Sequence, residues 1–144
     1  MASSPLEDIF PNLKGTAYTI ASPANTEYNC IAWSVGDTEQ WWWPSPLYYW
    51  PPGVPREETV EAFVRGYGTL GFVPCKDDSL EPGFEKIAIY VEQGRKPTHA
   101  ARQLSNGQWT SKLGKSEDIE HALHGLENSP YGSVVLILKR PVRR

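Results

Sequence analysis

The 144-residue chain has few cysteines, no long apolar segment and no excess of basic residues. Its two cysteines are too few for the disulfide framework of a small secreted domain. No segment approaches the roughly 18 apolar residues that a membrane-spanning helix needs, and the first ten residues lack the basic and apolar regions of a secretory signal. The net charge of -3 offers no basic excess for a phosphate backbone. We therefore expect a cytoplasmic protein that binds neither nucleic acid nor membranes.

The motifs that hold cofactors and metals are also missing. The sequence has no glycine-rich phosphate loop, no Cys-x-x-Cys pair and no His-Glu-x-x-His motif. Its histidines and cysteines are spaced in none of the patterns typical of metal sites. We expect neither a metal nor a cofactor.

The order of the predicted elements indicates an α+β fold. The length suits one domain over residues 1–144. Polar candidate caps precede Cys30, Gly36 is a plausible helix stop, and apolar residues recur at helical spacing over 57–70. Strand-like segments follow at 85–92, 97–104, 108–112 and 133–139, with a short helix predicted over 116–123. The expected architecture is an N-terminal helix carrying Cys30, packed on a mostly antiparallel sheet.

Residues 41–55 form an unusual segment, WWWPSPLYYWPPGVP. Its five prolines exclude regular secondary structure, but its aromatic side chains need cover. We expect an ordered loop packed on the domain, and long ordered loops are often functional. A platform for a sugar or peptide and a subunit interface are alternative interpretations.

Cys30 and His99 are the residues most suited to chemistry. A thiolate is stabilised at a helix start and by a nearby imidazole, and Cys30 follows Asn29 at a predicted helix start. The Asn29 side chain would be a further donor for an oxyanion. His99 lies in a predicted strand, which would hold a base rigidly. Core filling by Cys30 and a structural role for His99 are the alternatives.

A third residue would orient His99 from the next strand. A three-residue turn over 105–107 pairs Gln103 with Trp109 and places Ser111 on the face of His99, whereas a two-residue turn gives that place to Lys112. We favour Ser111 as the orienting residue.

Two further side chains are candidates for binding substrate. Lys112 would bind a substrate carboxylate, or simply be solvated. His121 would join the site with Asp118 three residues before it on a helix face, or else serve on the surface.

Several segments resemble the papain-like cysteine hydrolase superfamily, in its small bacterial amidase and deamidase-like forms. They are NCIAW at 29–33, KIAIYV at 86–91, THA at 98–100 and WTSKLG at 109–114. The resemblance implies a Cys opening a helix, a His on an antiparallel strand and a polar orienting residue on the next strand. That residue is usually Asn, Asp, His or Gln, so Ser111 departs from the pattern. From about Tyr28 onward the chain also resembles a family of small uncharacterised bacterial proteins.

Three functions are compatible with these features. The first is thiol-dependent hydrolysis or transfer at an amide bond of a protein or peptide, with Cys30 as nucleophile and His99 as base. The second is a binding module that uses the loop 41–55. The third is a toxin or defence-type effector domain. The sequence does not determine the oligomeric state.

Overall fold

The computed structural model describes residues 5–15, 18–22, 26–92, 96–113, 117–127 and 129–142. The helices are α1 (Pro5–Ile9), α2 (Cys30–Ser34) and α3 (Val60–Gly68), with 3-10 turns at Pro11–Gly15 and Leu123–Leu126. The strands are β1 (Thr19–Ser22), β2 (Val73–Cys75), β3 (Phe84–Val91), β4 (Pro97–Gln103), β5 (Trp109–Lys112), β6 (Asp118–His121) and β7 (Ser133–Pro141).

The strands form one seven-stranded sheet in the order β1-β6-β5-β4-β3-β7-β2. Every neighbouring pair is antiparallel, so the predicted α+β fold with an antiparallel sheet is confirmed. The helix that carries Cys30 is the second helix of the chain, because α1 and β1 precede it. None of the helices in the described ranges is long and apolar enough to cross a membrane.

The sheet is covered on both faces, and the alternation of β3 and β4 divides its side chains between two cores. Ile87, Ile89 and Ala100 pack in a first core with α2 and α3. Ala88 and Ala101 pack in a second core, which includes residues of both 3-10 turns. We call these sides of the sheet the α2 face and the opposite face. They determine which site residues meet.

The predicted helix at 57–70 forms over a shorter range, because Thr59 caps it. The Thr59 side chain accepts a hydrogen bond from the main-chain N–H of Ala62, as a residue preceding a helix commonly does. The three residues that precede Val60 at the predicted start are therefore outside the helix.

The helix predicted at 116–123 is wrong where the structure describes it. Residues 118–121 form β6, which pairs with both β5 and β1. Two flanking strands supply hydrogen-bond partners that a single surface turn of helix lacks, so tertiary pairing overrides the local pattern. Ser116, its predicted cap, lies outside the described residues.

The hairpin between β4 and β5 has the register of the predicted three-residue turn. Gln103 pairs with Trp109 and Arg102 pairs with Thr110. Gly107 has a φ of +88°, a conformation that favours glycine. The side chain of Ser111 therefore shares a face with His99, and that of Lys112 does not.

Segment 41–55 is an ordered loop outside the named helices and strands. Trp42 and Trp50 are buried in the first core, and Trp50 packs on the ring of Phe63 in α3. The loop tip differs, because Leu47 is 83% exposed. The prediction of a packed loop thus holds for its two ends and fails at its tip.

Candidate functional site

Cys30 is the first residue of α2, and Asn29 caps that helix. The Asn29 Oδ1 accepts hydrogen bonds from the N–H of Ala32 at 3.2 Å and of Trp42 at 3.0 Å. Its Nδ2 donates to the Trp42 carbonyl at 2.7 Å. The amide predicted as an oxyanion donor is therefore used to join the start of α2 to the aromatic loop.

The Cys30 thiol is almost completely buried, at 6% exposure. Burial raises its pKa to about 11, against hydrogen bonds from the main chain of Ala100, Ile31 and Cys30 itself and the charge of Lys112, which lower it. Burial outweighs these groups, so the resting residue is a protonated thiol at the start of α2.

His99 is a buried imidazole held between two tyrosines. Its ring stacks on Tyr131 with centroids 4.1 Å apart and planes 7° apart, and it makes an edge-to-face contact with Tyr90, with centroids 5.2 Å apart. Neither ring nitrogen has a hydrogen-bond partner among the described residues. Burial, reinforced by nearby His121, holds the pKa of His99 well below its ordinary value. The ring is therefore neutral at physiological pH.

The predicted hydrogen-bonded pair of Cys30 and His99 is not formed in this structure. Cys30 packs in the first core with Ala100, the residue after His99, so Cys30 and His99 lie at neighbouring positions of the fold. The Ala100 side chain belongs to the α2 face, whereas His99, by alternation, points with Ala101 to the opposite face. The structure brings the thiol to the strand of His99 but not to its ring nitrogens.

Ser111 and His121 are brought together instead, and both are fully buried on the opposite face. The Ser111 Oγ lies 2.7 Å from His121 Nε2, and His121 Nδ1 lies 2.7 Å from the Ala122 carbonyl. Because a carbonyl only accepts, Nδ1 carries the proton and Nε2 accepts from the hydroxyl. Ser111 thus binds His121, and it makes no hydrogen bond to the ring of His99.

Lys112 lies on the α2 face, near Cys30. Its Nζ is 5.1 Å from the centroid of the Tyr28 ring, and its positive charge lowers the pKa of Cys30. Burial lowers the pKa of Lys112, and Asp118 is the first of the carboxylates that oppose this. Lys112 is therefore a fully buried cation close to the thiol.

The suggested pairing of Asp118 with His121 is wrong. It depended on a helix, in which residues three apart share a face. In strand β6 the same spacing places them on opposite faces, with Asp118 opposite Lys112 and His121 opposite Trp109.

Several contacts of the site could not be read from the sequence pattern. Tyr131 covers His99 because the main chain beyond it approaches β3 closely: a Cβ on Gly132 would lie 1.8 Å from the Val91 carbonyl oxygen. A second such contact is that of Arg102, which packs over Trp33 in α2.

Comparison with known proteins identifies a family whose function is unknown. A family model described as a domain of unknown function, DUF7689, matches residues 19–139, and the chain therefore belongs to that family. No curated protein and no solved structure matches the chain significantly.

Proposed function

We propose that this member of the DUF7689 family is a thiol-dependent acyl-transfer enzyme of papain-like architecture. It would hydrolyse or transfer an amide bond of a protein or peptide, with Cys30 as nucleophile and His99 as base. The observation that carries the proposal is the position of Cys30, which opens α2 directly after its cap Asn29 and packs with Ala100 of β4 in the first core. The main-chain N–H groups of a helix start, which stabilise a thiolate, are also suited to stabilise charge that develops beside it.

The state of His99 supports its assignment as the base. A buried imidazole with two unpartnered nitrogens is costly for a purely structural residue. Its neutral form is the one that accepts a proton. The His99 ring lies on the face of β4 opposite to the thiol, so the pair requires β4 to shift by one residue, which would turn this ring to the α2 face and bring a ring nitrogen within about 3–4 Å of the sulfur.

The proposed reaction has two steps, acylation of Cys30 and then release of the acyl group. Cys30 Sγ bonds to the acyl carbon, its proton passes to His99, and the amine departs after receiving that proton, which leaves a thioester. Water, or an acceptor amine in a transferase, then attacks the thioester. His99 takes the proton of the attacking group and returns it to the released thiol.

The test uses p-nitrophenyl acetate as an acyl donor and intact-protein mass spectrometry as the readout. We expect one acetyl group on Cys30, formed with release of p-nitrophenolate. His99→Gln, which retains polarity but cannot act as the base, is expected to lower the acetylation rate at least about tenfold. Circular dichroism verifies that each variant is folded.

Cys75 provides the matched control, because it is the other cysteine and is also free. Cys75→Ser is expected to be acetylated on Cys30 at the wild-type rate. Cys30→Ser is expected to lose this acetylation and the release of p-nitrophenolate that accompanies it. An unmodified Cys30 in the folded protein, or an acetylation rate that is the same in His99→Gln, would contradict the proposal.

A second candidate function, a binding module, is favoured by the exposed tip of the aromatic loop. Leu47, Tyr48 and Tyr49 are 83%, 43% and 38% exposed, and the Tyr48 ring packs 5.9 Å from that of Trp41. Apolar and aromatic side chains at an exposed tip suit a proline-rich peptide. Titration with a short polyproline peptide should quench tryptophan fluorescence in wild type and not in Tyr48→Ser. The absence of a saturable change in wild type would reject this function.

A further inference from the structure

A stack of two cations and two aromatic rings lies beside Cys30. Lys112 Nζ is 5.1 Å from the Tyr28 ring, the Tyr28 and Trp33 rings are stacked at 5.6 Å, and the Arg102 guanidinium carbon is 5.1 Å from the Trp33 ring. The indole N–H of Trp33 donates to the Thr110 hydroxyl at 3.0 Å, which fixes the ring. The stack therefore holds Arg102 at a set position between α2 and the sheet.

The hydrogen-bond donors of Arg102 are not used by the described part of the protein. Its Nε is buried without a partner, and its guanidinium forms no ion pair with the carboxylates near it there. A guanidinium that is partly removed from water and lacks acceptors is held at a cost in stability. Aromatic contact keeps it in place but does not satisfy its N–H groups.

The Arg102 guanidinium is also close to the surface. A Cβ on Gly36 would lie 3.7 Å from Arg102 Nη1, and Gly36 itself is exposed. A ligand at the end of α2 would therefore meet the guanidinium edge beside a residue without a side chain.

We propose that Arg102 binds the carboxylate of the ligand on which Cys30 acts, so that the substrate class is peptides with a free carboxylate near the scissile amide. A guanidinium binds a carboxylate through two parallel hydrogen bonds. A monoanion fits better than a dianionic phosphate, because Asp118 on the same face offsets part of the positive charge of Arg102 and Lys112.

Arg102 lies two residues beyond Ala100 in β4, and Ala100 packs with Cys30 in the first core. The Cα atoms of Ala100 and Arg102 are therefore about 7 Å apart. On this spacing we place the bound carboxylate within a few residues of the bond that Cys30 attacks. This inference rests on the proposed function for its chemistry, but the binding of a carboxylate does not require the thiol.

The experiment is isothermal titration of the folded Cys30→Ala variant, which binds without turnover. Three probes are compared: N-acetyl-glycylglycine, its C-terminal amide and inorganic phosphate. We expect saturable binding of the free acid, at least about tenfold weaker binding of the amide, and no competition by phosphate. Arg102→Gln in the same background should lower affinity for the acid to that for the amide, and Arg102→Lys should restore part of it, since it keeps the charge and loses the fork.

Arg65→Gln is the matched control, because Arg65 lies on the exposed side of α3; it is expected to leave binding unchanged. Equal affinity for acid and amide, no binding of the acid, or binding unaffected by Arg102→Gln in a folded protein would overturn the inference. Preferential binding of phosphate would overturn the assignment to a carboxylate. Binding that depends on Arg102 while Cys30 resists acetylation would retain the anion site and reject the enzyme.

Discussion

Acidification is expected to destabilise this fold through His121. The imidazole is fully buried and is bound at both nitrogens, by Ser111 and by the Ala122 carbonyl. Burial lowers its pKa to about 4, although the bond to Ala122 favours the charged form. In the unfolded chain the same group titrates near 6.5. Between these two values the unfolded state binds the additional proton.

The magnitude follows from the two pKa values. Each pH unit within this window costs about 1.4 kcal/mol for one proton. The contribution of His121 to stability is therefore fully present above about pH 6.5 and falls by roughly 3 kcal/mol as the pH drops to about 4. His99, whose pKa is also depressed by burial, adds a loss of the same sign.

The assay is urea unfolding followed by tryptophan fluorescence between about pH 7 and pH 4.5. In His121→Gln, which can keep both hydrogen bonds but does not titrate, the slope of unfolding free energy against pH should fall by close to one proton. His124→Gln is the comparison variant, at a histidine whose side chain is 66% exposed and paired with Glu127, and it should change the slope by much less than His121→Gln does. An unchanged slope in His121→Gln would refute the assignment of the acid sensitivity to this residue.

Three substitutions test the fold around the site, each by urea unfolding. Asn29→Ala removes a helix cap and leaves the buried N–H and carbonyl of Trp42 without partners, so it should lower the free energy of unfolding by about 3 kcal/mol. A loss of only about 1 kcal/mol would mean that Asn29 acts as a cap alone. Gly132→Ala forces a Cβ to within 1.8 Å of the Val91 carbonyl oxygen at a φ of +82° and should cost at least about 3 kcal/mol, so a near-neutral result would contradict this packing. Gly68→Ala meets nothing within 4 Å and should stabilise α3 by about 0.5–1 kcal/mol, whereas destabilisation would show an unrecognised contact.

Local chemistry made part of this structure predictable. The Ser-Asn-Gly turn set the register that pairs Gln103 with Trp109, because the turn length fixes which residues face each other. The polar residue before Cys30 predicted a helix start, and Asn29 caps it. Residues 133–141 form a strand largely as their β-branched run predicts.

The segment around β6 could not be predicted in this way. Asp118 and His121 fit one face of a short helix as well as they fit two faces of a strand, because four residues are too few to separate the two periods. Its pairing with β1 and β5 decided the outcome. The pairing with β1 joins segments far apart in the chain, and no local pattern indicates it.

The candidate site was also only partly predictable from the sequence. Cys30 and His99 were chosen by residue type and order along the chain, and the fold does bring α2 to strand β4. The register of β4 decides which of its residues faces the thiol, because a shift of one residue moves every side chain of the strand to the other face of the sheet. Here Ala100 belongs to the core of α2, while the unpartnered His99 ring stacks on Tyr131.

Replacing Tyr131 by Leu removes that stacking while keeping an apolar cover. If His99 is the base, acetylation of Cys30 should then become faster, because less aromatic contact holds the ring away from the sulfur. An unchanged or slower rate in the folded Tyr131→Leu variant would argue that the ring stays on the opposite face throughout the reaction and that the base of Cys30 is another group.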